Sequence, residues 1–281
     1  MRKLLAVFGV AILYGFLVFL GDVKQFPNPV WLLLLSGITL AGYFFRALRW
    51  KLLMDRQAMH LSMWDAFRTY VAGLAFVVTP GKMGEVAKAE LMKSKFGFRR
   101  KPVVFTVVVE RIFDIIGMAI IGLIGAVWVA INYTGRLLIL AGGLLIILLI
   151  LYLFRNKIKF IESELEKLGD LKLISLCTLL SPLAWAFEVL EIVILSHFVN
   201  FPLNFFQAAF AFAGATLLGN ISMTPGGIGT AEVGLAGILM QYGMNKSLAS
   251  LATLTIRMTT LWFGFFIGIL FWVWVGRPKS K

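Results

Sequence analysis

The stretch Thr79-Pro80-Gly81-Lys82-Met83-Gly84-Glu85-Val86 is nearly copied by Thr224-Pro225-Gly226-Gly227-Ile228-Gly229, and each lies inside apolar sequence. Each stretch predicts a break in a helix, because proline removes a backbone donor and glycine permits turn conformations. At membrane depth, broken backbone is tolerated only where protein buries it or water reaches it. Two such breaks in a membrane protein predict an internal cavity.

Composition predicts an all-α, polytopic membrane protein. Hydrophobic residues make up 60% of the chain and charged residues only 15%, so long apolar spans dominate. The net charge is +13, but the basic residues cluster between apolar spans, where they orient the chain and attract anionic lipid. Nucleic acid is therefore not expected as a partner. The single cysteine, Cys177, excludes an intrachain disulfide and a thiolate metal cage.

Hydropathy and length predict six transmembrane helices and two re-entrant helical hairpins. The two segments around the breaks, residues 63–92 and 205–242, have arms shorter than the roughly 20 apolar residues that a crossing needs. They are therefore predicted to enter and leave on the same side. The predicted spans are residues 4–20, 30–50, 102–131, 137–154, 173–199 and 248–275.

The distribution of basic residues predicts that both termini are cytoplasmic. With the N-terminus inside, the outer loops hold only Lys24, Arg136 and Lys246 of the 27 Lys and Arg residues. Arg111 and Arg257 fall inside spans, and the rest are cytoplasmic. This asymmetry predicts a multi-pass protein of the plasma or inner membrane. The first hairpin then enters from the cytoplasm and the second from outside.

The same order of elements occurs twice, which predicts one transmembrane domain, 1–281, with an inverted repeat of roughly 1–131 and 137–281. The interval from Thr79 to Arg111 differs by a single position from the interval between Thr224 and Arg257. Transporters built from inverted repeats with discontinuous helices bind substrate near the membrane midplane, where the repeats meet. The two hairpin tips are therefore expected to meet at one site.

The chemistry predicted for that site is anion binding. Helix N-termini after the breaks offer unpaired N–H groups, and cations inside a membrane require a partner or a wet cavity. A phosphate head group would supply the anion, with no metal or cofactor. The predicted substrate-binding residues are Thr79, Pro80, Gly81, Lys82, Gly84, Lys88, Arg111, Thr224, Pro225, Gly226, Gly227, Gly229 and Arg257.

Six acidic residues allow either coupling to a cation or a structural role. Glu110 and Asp114 suit an ion pair with Arg111, and Glu85 and Glu232 suit helix caps as well as proton coupling.

Glu188 and Glu191 share one helix face, which suits a proton or cation site or pairing with arginines. Arg46 and Arg49 are expected to be interfacial anchors that extend toward lipid head groups.

These motifs together resemble the flippase-like transmembrane domain of lysylphosphatidylglycerol synthases. The likeness covers nearly the whole chain and rests on Pro80 to Lys88, Glu110-Arg111-x-x-Asp114, Pro225 to Gly229 with Glu232, and Arg257. Lys88 departs from the family pattern, which more often has arginine. The soluble aminoacyl-transferase domain of those synthases has no counterpart in this sequence. The resemblance therefore implies a stand-alone, non-enzymatic member that moves an anionic or aminoacylated lipid, and a separate lipid-modifying enzyme is a candidate partner.

The function expected from the sequence is a lipid flippase or transporter of a phospholipid or a polyprenyl-phosphate-linked lipid. No P-loop pattern is present, so energy would come from a gradient or from consumption of the lipid. One alternative is an intramembrane enzyme or subunit acting on a lipid-linked sugar or phosphate, although zinc-type His pairs, G-x-S-x-G and Asp-rich metal motifs are missing. A small-anion transporter is the other. The lipid, the direction of transport and the oligomeric state are not predicted.

Overall fold

A computed structural model describes residues 28–132 and 168–276 of the chain, without the side chains of residues 80–83. All regular structure in these two ranges is helical, as predicted. The predicted spans 4–20 and 137–154, and both termini, lie outside the described residues.

The first described helix, α1, is Pro29–Arg56. Asn28 begins it, with a side-chain oxygen that accepts a hydrogen bond from the Val30 N–H at 2.9 Å. Pro29 suits the first helical position, where its missing N–H costs nothing. One side of α1 is buried, whereas Val30 and Leu33 are exposed. An apolar helix of this kind suits contact with protein on one side and lipid on the other.

The first broken segment begins with α2, Met63–Gly73, and continues through a 3₁₀ turn at Leu74–Phe76. After the break come a 3₁₀ helix, Pro80–Ala87, and α3, Lys88–Phe96. The break itself is where the sequence predicts it. The backbone after it is tighter 3₁₀ helix, and the α-helix resumes only at Lys88.

The remaining elements complete two similar series of helices. Helix α4 follows the first broken segment, and the second series runs from α5 to α9, with a 3₁₀ turn between α6 and α7 and a π-helical segment between α8 and α9. Their bounds are α4 Arg100–Asn132, α5 Leu171–Phe198, α6 Phe205–Ile221, the turn Pro225–Gly227, α7 Thr230–Gln241, α8 Lys246–Arg257, the π segment Met258–Trp262 and α9 Phe263–Gly276.

The two series have matching spacings. The interval between the starts of α1 and α2, at positions 29 and 63, equals that between the starts of α5 and α6, at positions 171 and 205. The interval from α2 to the start of α3 at position 88 likewise equals that from α6 to the start of α7 at position 230. Arg111 and Arg257 stand equally far from the starts of α4 and α8, at positions 100 and 246. The equal spacings agree with a repeat, and the inverted repeat itself stays a prediction.

Four helices in the described ranges are long and apolar enough to cross a membrane: Pro29–Arg56, Arg100–Asn132, Leu171–Phe198 and Lys246–Gly276. The last of these consists of α8, the π segment and α9, which follow one another without a gap. They coincide with four of the six predicted spans. The chain is therefore an integral membrane protein. The number of spans and the re-entrant hairpins stay predictions.

Close helix packing brings the two broken segments together. Helix α4 lies against α6 where a Cβ on Gly125 would come 2.5 Å from the Phe210 amide nitrogen. Helix α9 lies so close to the turn at Leu74 and Ala75 that Gly268 has no room for a side chain. The 3₁₀ helix Pro80–Ala87 touches the turn Pro225–Gly227, so the two breaks meet. Val77, Ile228 and Leu261 form a small buried apolar cluster there.

Candidate functional site

The first break is held by a hydroxyl. Thr79 Oγ1 accepts a hydrogen bond from the Gly84 N–H at 2.8 Å and donates to the Phe76 carbonyl at 2.7 Å. A Cβ on Gly84 would lie 2.6 Å from the Thr79 methyl carbon, so the turn requires glycine at this position. The Thr79 hydroxyl therefore shapes the break from within the turn.

The second break depends on left-handed glycines and on a group of hydroxyls. Gly226 has φ +63° and Gly227 has φ +70°, which a side chain would disfavour. Ser222 Oγ lies 2.9 Å from Thr224 Oγ1 and 2.8 Å from Thr230 Oγ1. Three hydroxyls thus bridge the end of α6, the turn and the start of α7.

Arg257 fixes this second break from the neighbouring helix. Its Nη2 donates to the Gly226 carbonyl at 2.6 Å, and its Nε donates to Glu232 Oε1 at 2.7 Å. The other carboxylate oxygen of Glu232 accepts the Gly229 N–H at 2.7 Å. Glu232 therefore both caps α7 and pairs with Arg257.

Arg111 occupies the corresponding place beside the first break. Its guanidinium lies 3.0 Å from Asp114, 3.2 Å from Glu110 and 3.3 Å from Glu85. The Arg111 side chain is 23% exposed, more than any of its three partners. Each of the two breaks therefore faces an arginine from a long helix, paired with a carboxylate that follows the break.

Lys88 lies behind Arg111 and away from the open space. Its Nζ lies 2.7 Å from Glu110 and 3.4 Å from Glu85, and it sits over the Trp50 ring at 4.3 Å from the ring centre. The Lys88 side chain is almost fully buried. Its charge therefore stabilises the carboxylates around Arg111 and has no access to a ligand in this structure.

Arg46 and Arg49 are not interfacial anchors, and that expectation is wrong. Arg46 pairs with Glu188 at 2.6 Å and lies 4.1 Å from the Trp185 ring centre. Arg49 pairs with Asp114 and donates to Ser181 Oγ at 2.6 Å. Both arginines are buried in protein because carboxylates on α4 and α5 face α1, and pairing inside the fold replaces contact with head groups.

A cavity of about 1030 Å³, counted with its open mouth, lies between these elements. Both breaks contribute to its wall, together with α1, α4, α5, α6 and α8. Three arginines line it, Arg46, Arg111 and Arg257, and so do three carboxylates, Glu85, Asp114 and Glu188. The rest of the wall is a mixture of aromatic, small polar and aliphatic residues, including Tyr43, Tyr70, Trp185, Asn220, Thr260, Leu74, Val77 and Ile256. Among the described side chains, which do not include Lys82, the wall thus carries both signs of charge in equal number.

Comparison with known proteins agrees with the resemblance inferred from sequence. The model of the family described as the lysylphosphatidylglycerol synthase TM region matches residues 4–268. The chain belongs to this family. No solved structure matches it.

Two curated relatives are UPF0104 membrane proteins of archaea. The protein of Methanothermobacter thermautotrophicus is 30% identical over 93 residues, which are 33% of this chain and 28% of the relative. The protein of Methanocaldococcus jannaschii is 29% identical over an alignment of 190 positions, and the match covers 60% of this chain and 80% of the relative. The family points to a membrane lipid-related role.

In this member of the family, the structure brings together about half of the predicted binding residues. Those that line the cavity are Thr79, Arg111, Thr224, Gly226, Gly227 and Arg257. Gly84, Lys88, Pro225 and Gly229 lie outside its wall and support the breaks. The side chains at positions 80–83, including that of Lys82, lie outside the described part.

The six acidic candidates divide in the same way. Glu85, Asp114 and Glu188 line the cavity, whereas Glu110, Glu191 and Glu232 lie behind its wall. Glu188 pairs with Arg46, but Glu191 does not share that partner and is hydrogen-bonded to the hydroxyls of Thr39 and Thr259. The i, i+3 spacing of these two glutamates therefore does not make one joint site. No group of three or more His, Cys, Asp or Glu in the described ranges could hold a metal ion.

Sequence reasoning missed Arg46, Tyr43, Tyr70 and Trp185 as cavity residues. The interval from Arg46 to Thr79 equals that from Glu191 to Thr224. The repeat spacing therefore already gives Arg46 the position before the first break that Glu191 has before the second. The sequence nevertheless assigns Arg46 to the membrane surface, because it belongs to a basic run at the end of the predicted span and such runs usually mark that surface.

Proposed function

We propose that this protein moves a lipid with a charged head group between the two leaflets of the membrane. The head group passes through the cavity while the acyl or prenyl chains stay in the bilayer. The observation that carries this proposal is a cavity with six charged side chains, built where two helix breaks meet inside an apolar protein. Ionisable groups at such a depth are costly and mark substrate or ion pathways.

The charge pattern of the wall suits a head group that contains a phosphate. Arg111 and Arg257 each bind a carboxylate, so an entering phosphate can replace the carboxylate at the guanidinium without leaving a cation unpaired. An aminoacylated or otherwise zwitterionic head group would also find partners for its ammonium group at Glu85, Asp114 and Glu188. The presence of both signs of charge among the described wall residues thus favours a head group that carries a phosphate and an amine over a simple anion.

The lengths of the broken arms support re-entrant hairpins. At a rise of about 1.5 Å per residue, the 11 residues of α2 cover about 17 Å and the 9 residues of α3 about 14 Å, against a hydrocarbon core of about 30 Å. The 17 residues of α6 and the 12 of α7 also fall short. Hairpins that enter from opposite sides and meet in the middle would open the cavity alternately to each leaflet, as in other transporters with inverted repeats.

Transport of this kind draws its energy from an ion gradient or from consumption of the lipid on one side. A separate lipid-modifying enzyme that supplies or uses the lipid is the natural partner under this proposal. The membrane would be the plasma or inner membrane, with both termini in the cytoplasm.

Reconstitution tests the proposal. Purified protein in liposomes with head-group-labelled lipids, one anionic and one aminoacylated, should make the inner-leaflet label reachable by a membrane-impermeant quencher. R111A and R257A should lose this activity while keeping a monodisperse elution profile. R100A and K246A are matched controls on the same helices, because both residues are exposed outside the cavity. They should keep it.

Two other results would contradict the proposal and indicate a different function. A chemically new lipid product would identify an intramembrane enzyme. Uptake of free phosphate or another small anion, without movement of labelled lipid, would identify a small-anion transporter.

A further inference from the structure

Glu191 is a buried carboxyl group that the proposed lipid pathway does not use. It lies on α5, has no exposed surface, and does not line the cavity. No Lys or Arg in the described ranges forms an ion pair with it, whereas Glu188, one turn earlier, pairs with Arg46. An isolated charge in such surroundings is strongly unfavourable, and carboxyl groups there are normally neutral.

The hydrogen bonds around Glu191 can be counted against the protons available. Thr39 Oγ1 lies 2.5 Å from Glu191 Oε1 and 3.0 Å from the Thr259 carbonyl oxygen. Thr259 Oγ1 lies 2.7 Å from Glu191 Oε2, and the carbonyl oxygens of Thr255 and Ile256 are farther away, each at 3.2 Å. An ionised carboxylate leaves only the two hydroxyl protons for the three contacts of 3.0 Å or less.

A protonated carboxyl group supplies the missing proton. Its O–H then donates to Thr39 Oγ1, the Thr39 hydroxyl donates to the Thr259 carbonyl, and the Thr259 hydroxyl donates to the other oxygen of Glu191. Each of the three contacts then has one proton of its own. The short separations are those of direct O–H···O hydrogen bonds and leave no room for a metal ion between the oxygens.

We propose that Glu191 is a proton-binding site, occupied in this structure, at the junction of α1, α5 and the π segment. On release, the O–H bond of Glu191 breaks and the proton passes to water in the cavity by way of Glu188. The carboxylate then accepts both threonine hydroxyls. Because Thr39 no longer donates to the Thr259 carbonyl, one bond between α1 and the π segment is lost.

The cavity lies next to this site on all three elements. Tyr43 is one turn from Thr39, Glu188 is one turn from Glu191, and Thr260 follows Thr259; all three of these neighbours line the cavity. Tyr43 also donates to the Thr260 carbonyl at 2.9 Å. The charged and titratable groups that face Glu191 are therefore Tyr43 and Arg46 on α1 and Glu188 on α5.

The site also adjoins the second break. The π segment begins directly after Arg257, which holds the Gly226 carbonyl and Glu232. Single-turn π segments recur at functional sites. A change in the bonds of Thr259 acts on the backbone that carries Arg257, so the proton and the turn at Gly226 are coupled. This role in a transport cycle rests on the proposed function, whereas protonation of Glu191 does not.

Infrared difference spectroscopy tests the site without any transport assay. The protein in lipid nanodiscs at neutral pH should give the C=O band of a protonated carboxylic acid, which E191Q should lose and the matched variant E188Q should keep. T39V, which removes one hydrogen bond, should shift the band, and T39S should not. A spectrum in which wild type and E191Q are the same would overturn the proposal. So would a band in wild type that vanishes in E188Q alone.

Liposomes with an imposed pH gradient test the coupling. The gradient should change the rate of lipid movement in wild type and not in E191Q, and replacing sodium by choline should have no effect. Equal responses of wild type and E191Q, or dependence on sodium, would overturn the coupling role. Absence of lipid movement in wild type would instead refute the proposed function, and the infrared result would still decide whether Glu191 binds a proton.

Discussion

The Arg46 guanidinium lies 2.6 Å from the Glu188 carboxylate, and this pair joins α1 of the first series to α5 of the second. Both side chains are more than nine-tenths buried. Both line the cavity, and Arg46 also stacks on Trp185. The pair therefore holds two wall residues of the candidate site in place and also fixes α1 against α5.

Removing one partner of this pair should be far more harmful than removing both. R46M leaves Glu188 as an uncompensated buried charge, which typically costs about 3–5 kcal/mol. The double variant R46M/E188M should recover most of that loss, because apolar residues of similar volume replace the pair. Denaturant unfolding in detergent micelles measures both free energies of unfolding.

The exposed pair of Arg100 and Glu90 provides the comparison. Its side chains are more than half exposed, so R100M should cost no more than about 1 kcal/mol. If R46M and R100M lower the free energy of unfolding equally, the Arg46 side chain is solvated and the buried pair is not present.

Gly268 should be intolerant of alanine. A Cβ there would collide with the backbone of Leu74 and Ala75, so G268A forces α9 away from the first break and should cost about 1–3 kcal/mol. G237A in α7 is the matched control, since nothing lies within 4 Å of a Cβ at that position. It should be neutral or stabilise the protein, because alanine favours helix by about 0.8–1.0 kcal/mol over glycine. Thermal unfolding of both variants checks this, and equal midpoints would contradict the packing of α9 on the break.

The helix breaks and the long spans could be predicted from sequence because their causes are local. Proline and glycine at Pro80 and Pro225-Gly226-Gly227 interrupt backbone hydrogen bonding wherever they fall in an apolar helix. The described spans could likewise be predicted, because the length of an apolar segment shows whether it can cross the membrane. The restart of α3 at Lys88 could not be predicted, because the 3₁₀ turns before it depend on the Thr79 hydroxyl and on contacts with the second break.

The charge pairs show the limit of sequence reasoning within the site. Arg111 and Arg257 could be recognised because each lies well inside a long apolar span. Arg46 lies near a basic run, and only the facing carboxylate on α5 shows that its side chain points into the protein. Such pairings depend on which helices become neighbours, and spacing along one chain segment does not contain that information.

Orientation can be tested with single cysteines. In a Cys177→Ala background, K246C should react with a membrane-impermeant maleimide in intact cells, whereas R99C should react only after the membrane is opened. Both positions are exposed, and the positive-inside rule places them on opposite sides. Reaction of R99C in intact cells would contradict the proposed orientation.

A reversible link between the two breaks tests most directly whether the head group passes between them. A Cβ at Gly226 would lie 3.5 Å from the Val78 Cα, which is close enough for a disulfide between V78C and G226C in a background without Cys177. Because a cysteine at Gly226 is strained at φ +63°, lipid movement by the reduced double variant is measured first and is the reference for its own oxidised state.

In liposomes, the oxidised protein should move no labelled lipid, and reduction should restore movement in the same sample. Because the same molecules are measured in both states, a folding defect cannot explain the difference. Equal rates of lipid movement before and after reduction, with the disulfide verified by mass, would contradict passage of the head group between the two breaks.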